Sequence, residues 1–177
     1  MNGEQRREKI LGILEKQARA AGRTPVSATK LARDAEVSRQ VIVGDIALLR
    51  AQGHAIIATA RGYMMEASPI LAGRYVGKIA CRHSAEDTEK ELVTIVELGG
   101  EVIDVVVSHR LYGDLTGQLN IVTKQDAITF VACVQKGGER LLSELTGGVH
   151  LHTVACRDRE EFESIKEGLR ELGVLYE

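Results

Sequence analysis

Two serines eleven residues apart, Ser27 and Ser38, leave the first third of this chain little choice of fold. A serine just before a helical run accepts a hydrogen bond from an amide of the first turn, so each marks a helix start. The run between them, Ala28 to Ala35, ends at Glu36-Val37, which predicts two short helices joined by a sharp turn. Upstream, residues 5–20 set Ile10, Leu11, Ile13, Leu14 and Ala18 at helical spacing, with Arg and Glu on the other face. This amphipathic helix is expected to stop at Gly22 and Pro25. After Ser38, Ile42, Ile46 and Leu49 form an inward stripe that ends at Gln52-Gly53. Residues 54–65 then carry β-branched residues around a turn at Arg61-Gly62, as a small hairpin does.

Charge sets this segment apart from the rest. Residues 1–66 hold 11 basic and 7 acidic residues, a balance of +4, whereas residues 67–177 hold 12 and 18, a balance of −6. The break falls at Ala67-Ser68-Pro69. Positive charge confined to one small segment is the footprint expected of a nucleic-acid-binding module joined to an acidic partner domain. Three helices and a hairpin in this order resemble the winged helix-turn-helix family. Val37-Ser-Arg-Gln-Val-Ile-Val-Gly-Asp-Ile46 is similar to its recognition-helix entry, and Gly62-Tyr63 to its wing return. The N-terminus of such a helix points amides at a phosphate while its first exposed side chains reach base edges. Ser38, Arg39, Gln40 and Val43 are therefore the candidate DNA contacts, with Arg61 at the wing tip meeting the backbone or minor groove. Arg39 can pair with a guanine edge and Gln40 with an adenine edge. Val43 and Gly44 stand where family members often carry longer polar residues, so base reading is expected to concentrate in the first turn. Three amphipathic helices also serve as protein-interaction domains; the caps, turn and charge together favour DNA.

The remainder reads as strand 74–82, helix 86–98, strand 101–109, strand 115–122, helix 125–134, strand 149–156, helix 159–172 and a last strand at 174–176. One mixed or antiparallel sheet with helices on one face follows, a two-layer α/β domain over residues 71–177, so the whole chain is α+β. Apolar residues at 44% and charged residues at 27% are those of an ordinary soluble protein, and no uninterrupted apolar run reaches membrane-span length. The charged N-terminus lacks a signal-peptide core, and the odd set Cys81, Cys133 and Cys156 reads as reduced core thiols. A cytoplasmic location is expected.

His150-Leu-His152 is the local pattern that bears on chemistry. Residues i and i+2 of a strand point the same way, so two imidazoles there can share a metal ion; the same pattern also arises by chance or packing. His83 at a strand end and Glu91 at the border of a helical apolar stripe can complete a three-His, one-carboxylate set suited to zinc, nickel or iron. Glu91 also lies in an acidic helix start that the helix dipole favours by itself.

From about Leu71 to Leu172 the chain resembles the 3H domain, which follows a winged helix in the nicotinate-responsive repressors of NAD biosynthesis. The resemblance is carried by His83 with Glu91, by Val106-Val-Ser-His-Arg-Leu-Tyr-Gly-Asp114, and most specifically by Leu142-Ser-Glu-Leu-Thr-Gly-Gly-Val-His-Leu-His-Thr153. It implies a homodimeric transcription factor with one divalent metal per chain on His83, Glu91, His150 and His152, and nicotinic acid as co-repressor. Arg110, Tyr112 and the Gly147 and Gly148 amides are candidate effector contacts. His109, after Ile103, Val105 and Val107 on one strand face, is open to effector contact, structural support or ligation. Competing readings are a metal sensor and a metal-dependent hydrolase or isomerase fused to the helix-turn-helix. The region lacks His-Glu-x-x-His, Gly-x-Ser-x-Gly and a phosphate loop.

Overall fold

A computed structural model describes residues 2–20, 24–66 and 73–177. The chain divides into two compact units, residues 1–68 and 69–177. Gly22, the Ala67-Ser68-Pro69 segment and Leu71 lie outside the described residues.

In the first unit, α1 (Gly3–Arg19) begins with a reciprocal cap between Asn2 and Gln5. The two diagnostic serines act as expected. Ser27 accepts from the Lys30 amide ahead of α2 (Ala28–Ala35), and Ser38 from the Val41 amide ahead of α3 (Arg39–Ala51). Glu36 takes a left-handed conformation between them, which makes the turn sharp. Ile10, Leu14, Leu31, Ile42, Ile46 and Leu49 close one core. Strands β1 (Ile56–Thr59) and β2 (Gly62–Met65) form the hairpin with Ile56 opposite Met65 and Thr59 opposite Gly62. Its loop is Ala60-Arg61, one residue earlier than the sequence suggests. Gly62 is needed for another reason: at φ +139° it packs on the Val26 backbone, where a Cβ would come within 2.2 Å of the carbonyl oxygen.

In the second unit, β3 (Tyr75–Arg82), β6 (Val149–Cys156), β4 (Glu101–His109) and β5 (Gly113–Ile121) lie in that order in one fully antiparallel sheet. Helices α4 (Thr88–Glu97), α5 (Lys124–Gly137) and α6 (Arg159–Leu172) supply Leu92, Ile95, Ala127, Ile165 and Leu169 to a core shared with Ile79, Val102, Ile121 and Val154 of the sheet. The expected final strand is reduced to a bridge between Leu175 and Cys81, flanked by the Arg82 amide to the Val174 carbonyl and the Tyr176 amide to the Ala80 carbonyl. Two short 3-10 turns, Ala85–Asp87 and Leu142–Thr146, precede α4 and β6. Cys81 and Cys156 are buried thiols, whereas Cys133 is exposed, contrary to expectation. Helix geometry turns position 133 away from the Ala127, Phe130, Val131 and Val134 side of α5.

Candidate functional site

Antiparallel pairing assembles the site. The register sets Cys81 opposite His150 and Ile79 opposite His152, so both histidines of the His-x-His pattern project from the sheet's helix-covered face. His83 follows two residues after Cys81, and the β3-to-β6 approach there is held by the His83 amide donating to the Gly148 carbonyl. Across the layer, α4 turns Thr88, Glu91, Leu92 and Ile95 inward as one buried stripe. Glu91 is thereby fully buried against three imidazoles.

Its carboxylate lies 2.8 Å from His83 Nε2, 3.0 Å from His150 Nε2 and 3.4 Å from His152 Nε2. Each Nδ1 is committed elsewhere: His83 Nδ1 donates to the Ser84 carbonyl at 2.7 Å, His150 Nδ1 to the Gly148 carbonyl at 2.9 Å and His152 Nδ1 to the Asp104 carbonyl at 2.8 Å. A carbonyl only accepts, so every Nδ1 carries the proton and every neutral ring turns its Nε2 lone pair toward Glu91. A carboxylate cannot hydrogen-bond to a lone pair. Either each ring takes a second proton, or a cation stands among the donors. His152 Nε2 is buried with no hydrogen-bond partner. Backbone-anchored Nδ1 protons are the outer-shell arrangement that orients metal-ligating histidines. The four residues named from the sequence therefore fit a divalent metal, and three nitrogens with one carboxylate suit zinc, nickel or iron.

The electrostatics follow this geometry. Burial pulls His83 and His152 down, but the adjoining Glu91 carboxylate outweighs it and raises both. Burial likewise pushes Glu91 up, and the charge of His152 with the close approach of all three imidazoles brings it well below the usual carboxylate range. Cys81 is a neighbour that no sequence pattern singles out: its sulfur, a Glu91 oxygen and a His150 nitrogen lie within 4.8 Å of one another. Burial, then the Glu91 charge, pushes that thiol far up.

A cavity of about 30 Å³ opens among these donors, walled by Thr88, Leu92, Val105, Phe130, Leu141 and Ser143 together with the histidines and Glu91. Of the candidate effector contacts, none lines it. Arg110 and Tyr112 are in the exposed β4–β5 turn, and His109 lies four residues along β4 from Val105, roughly 13 Å at strand rise. His109 Nδ1 accepts from the Leu111 and Tyr112 amides and its ring stacks on Tyr112 at 5.2 Å, so it braces that turn. Gly147 and Gly148 line a separate open cleft beside His83, with Arg82, Arg140 and Glu144. Gly148, at φ +90°, also meets the His83 backbone so closely that a Cβ would lie 2.3 Å from its carbonyl oxygen.

On the first unit, Arg39, Gln40, Val43 and Gly44 are exposed along one side of α3, while Ile42, Asp45, Ile46 and Leu49 are buried. Ser38 spends its hydroxyl on the cap. Arg61, at the hairpin tip, donates its amide to Thr59 Oγ1. The buried Asp45 carboxylate is held by Arg6 and Arg7 of α1, which ties the inner side of α3 to its own unit.

A helix-turn-helix with a wing, joined to an antiparallel α/β unit bearing a cluster of three histidines and one glutamate, defines a DNA-binding regulator with a 3H domain. Residues 6–64 match the HTH domain model and residues 76–177 the 3H domain model. The chain is 37% identical to the "Probable transcription repressor NiaR" of Thermotoga maritima over 98% of its length and 95% of the relative's, and 38% identical to the "Transcription repressor NadR" of Bacillus subtilis over 98% and 94%. It belongs to this family of helix-turn-helix transcription repressors. Among the described residues no helix is long and apolar enough to cross a membrane.

Proposed function

We propose that this chain is a cytoplasmic, metal-loaded repressor that acts as a homodimer on operator DNA and takes nicotinic acid, or a similar small heteroaromatic acid, as co-repressor. Residues 1–66 form the DNA-binding domain, reading bases through Arg39 and Gln40 with Val43 beside them, positioned by Ser38 and braced on the backbone by Arg61. Residues 71–177 form the 3H domain, in which His83, Glu91, His150 and His152 hold one divalent ion. The observation that carries this reading is the convergence of three Nε2 atoms on a buried carboxylate while every Nδ1 is tied to a carbonyl. Control of NAD biosynthesis or niacin uptake genes fits the names NiaR and NadR of the relatives. When bound, the ion supplies an open coordination position for a pyridine nitrogen or a carboxylate oxygen. The protein's part is to orient the rings and exclude water.

The test is metal content. One equivalent of nickel or zinc per chain is expected in the purified protein, and a His150→Ala/His152→Ala double variant is expected to lose it; stoichiometric metal in that variant sinks the assignment. A second reading, in which the metal itself is the signal, draws on the cavity: about 30 Å³ holds an ion but is far below the roughly 300 Å³ of an ordinary small-molecule site. Titrating metal and nicotinate separately while following operator binding distinguishes the two.

A further inference from the structure

After its first turn, the outer surface of α3 is apolar. The exposed residues between Gln40 and Arg50 are Val41, Val43, Gly44, Ala47 and Leu48, and none has a side chain that can donate or accept a hydrogen bond. Val43 is 41% exposed, on the same side of the helix as Gln40, Gly44 and Ala47 and away from the buried Ile42, Ile46 and Leu49. In a helix a valine holds nearly one rotamer, so this apolar group is presented in a fixed direction and loses little freedom when something packs on it. Gly44 beside it keeps an ordinary helical backbone, and a Cβ built there meets nothing within 4 Å. Nothing within the unit therefore limits how closely a partner can approach the helix backbone at that point.

In the major groove the base edges show donors, acceptors and a single apolar group, the C5-methyl of thymine. Resting on the reading of α3 as the base-reading helix, we infer that Val43 packs on a thymine methyl and that the bare backbone at Gly44 lets α3 sit close enough to make the contact. Val43 lies three residues past Gln40, about 4.5 Å along the helix, against a base-pair step of about 3.4 Å. The thymine is thus expected at the step next to the pair that Gln40 faces. Valine neither donates nor accepts, so it is blind to the change from a carbonyl to an amino group that separates thymine from cytosine. To Val43, thymine and 5-methylcytosine are equivalent, and so are uracil and cytosine. Specificity then has two parts: Arg39 and Gln40 select by hydrogen bonds, and Val43 selects by a methyl group.

The deciding experiment starts from a duplex selected out of a random pool by the full chain, with zinc and nicotinate present, and measures affinity after each thymine in turn is replaced by deoxyuridine. One thymine per half-site is expected to respond, with a loss of about fourfold, the burial of one methyl group. Val43→Ala should bind the thymine and deoxyuridine duplexes alike. For the parent, 5-methylcytosine at the same step should bind better than cytosine by the same factor. Gly44→Ala should melt higher, because alanine favours the helix, and yet bind the selected duplex about tenfold more weakly, as overfilling a close contact does. Its affinity for random duplex should stay at the parental value. A selected half-site without thymine, deoxyuridine without effect at every thymine, or a deoxyuridine effect that persists in Val43→Ala each overturns the methyl contact while leaving base reading by α3 standing. Parental affinity for the selected duplex in Gly44→Ala overturns the close seating. Failure of the pool to yield any enriched sequence overturns base reading by α3 itself, and this inference with it.

Discussion

Glu91 shows how one side chain sets the behaviour of its surroundings. Because its carboxylate raises His83 and His152 and is itself lowered by them, the metal-free unit gains stability from charge in a bounded pH window. A raised histidine contributes fully below its unfolded value, ~6.5, and loses that contribution as pH rises through the folded value. A lowered carboxylate contributes above its unfolded value, ~4.3, and loses it as pH falls through the folded value. The metal-free protein is therefore expected to melt highest between these limits and to weaken above the raised histidine values. Metal binding must displace the same protons, so metal affinity should fall over the range in which metal-free stability rises. Thermal melts in chelator and metal titrations across pH 5–8 give opposite slopes if this is right, and Glu91→Gln should flatten the first. Gly148 makes a second residue-scale case. Gly148→Ala places a Cβ against the His83 carbonyl at a positive φ, which is expected to cost about 2 kcal/mol and to lower metal occupancy, read by denaturation and metal analysis. Such neighbours are not legible in a sequence. The His-x-His pattern and Glu91 can be read from spacing, but Thr88, Cys81, Phe130 and Leu141 join the site only through the β3–β6 register and the packing of α4 and α5 on the sheet.

At the scale of elements, caps and periods carry most of the legibility. Ser27 and Ser38 each accept the expected first-turn amide, and α2 and α6 run over the residues their patterns predict. Where no cap or strong period exists the sequence is a poorer guide. The Leu142–Thr146 turn reads as loop because its five residues are too few to show a period, and residues 174–176 look like a strand but pair through one bridge. The helix expected from residue 86 opens instead as a 3-10 turn whose Ser84 carbonyl is drawn to His83. For α3 the consequence is functional. Its inner side is fixed by Ile42, Ile46, Leu49 and the Asp45 pair with Arg6 and Arg7, so the exposed side is presented rigidly. Arg39 is the longest donor on that side's first turn, and two hydrogen bonds to a guanine edge are worth ~1–3 kcal/mol of discrimination. Arg39→Ala should lose that much on the selected operator and little on random duplex. Equal losses in a mobility-shift series on both duplexes would make Arg39 a phosphate contact.

For the whole molecule the two units are linked by thermodynamics whatever their arrangement. One winged helix covers a half-site, and specific binding ordinarily needs two recognition helices one or more DNA turns apart, which is why a homodimer is the expected acting form. An effector held by the second unit can alter DNA affinity only through its own difference in affinity for the dimer arrangements that do and do not match the operator. Couplings of this kind are typically ~1–3 kcal/mol, about 5–150-fold. Reciprocity is then obligatory: operator DNA must tighten nicotinate by the factor by which nicotinate tightens operator. His152→Ala removes a donor whose Nε2 has no other partner, so it is expected to leave the first unit folded and able to bind DNA weakly and with strong salt dependence. In that variant nicotinate should no longer change operator affinity. Calorimetry of nicotinate binding to the metal-loaded parent, with and without operator, is the direct measurement. Equal affinities in the two titrations rule out co-repression even if nicotinate binds, and a coupling that persists in His152→Ala separates the effector's action from the metal centre.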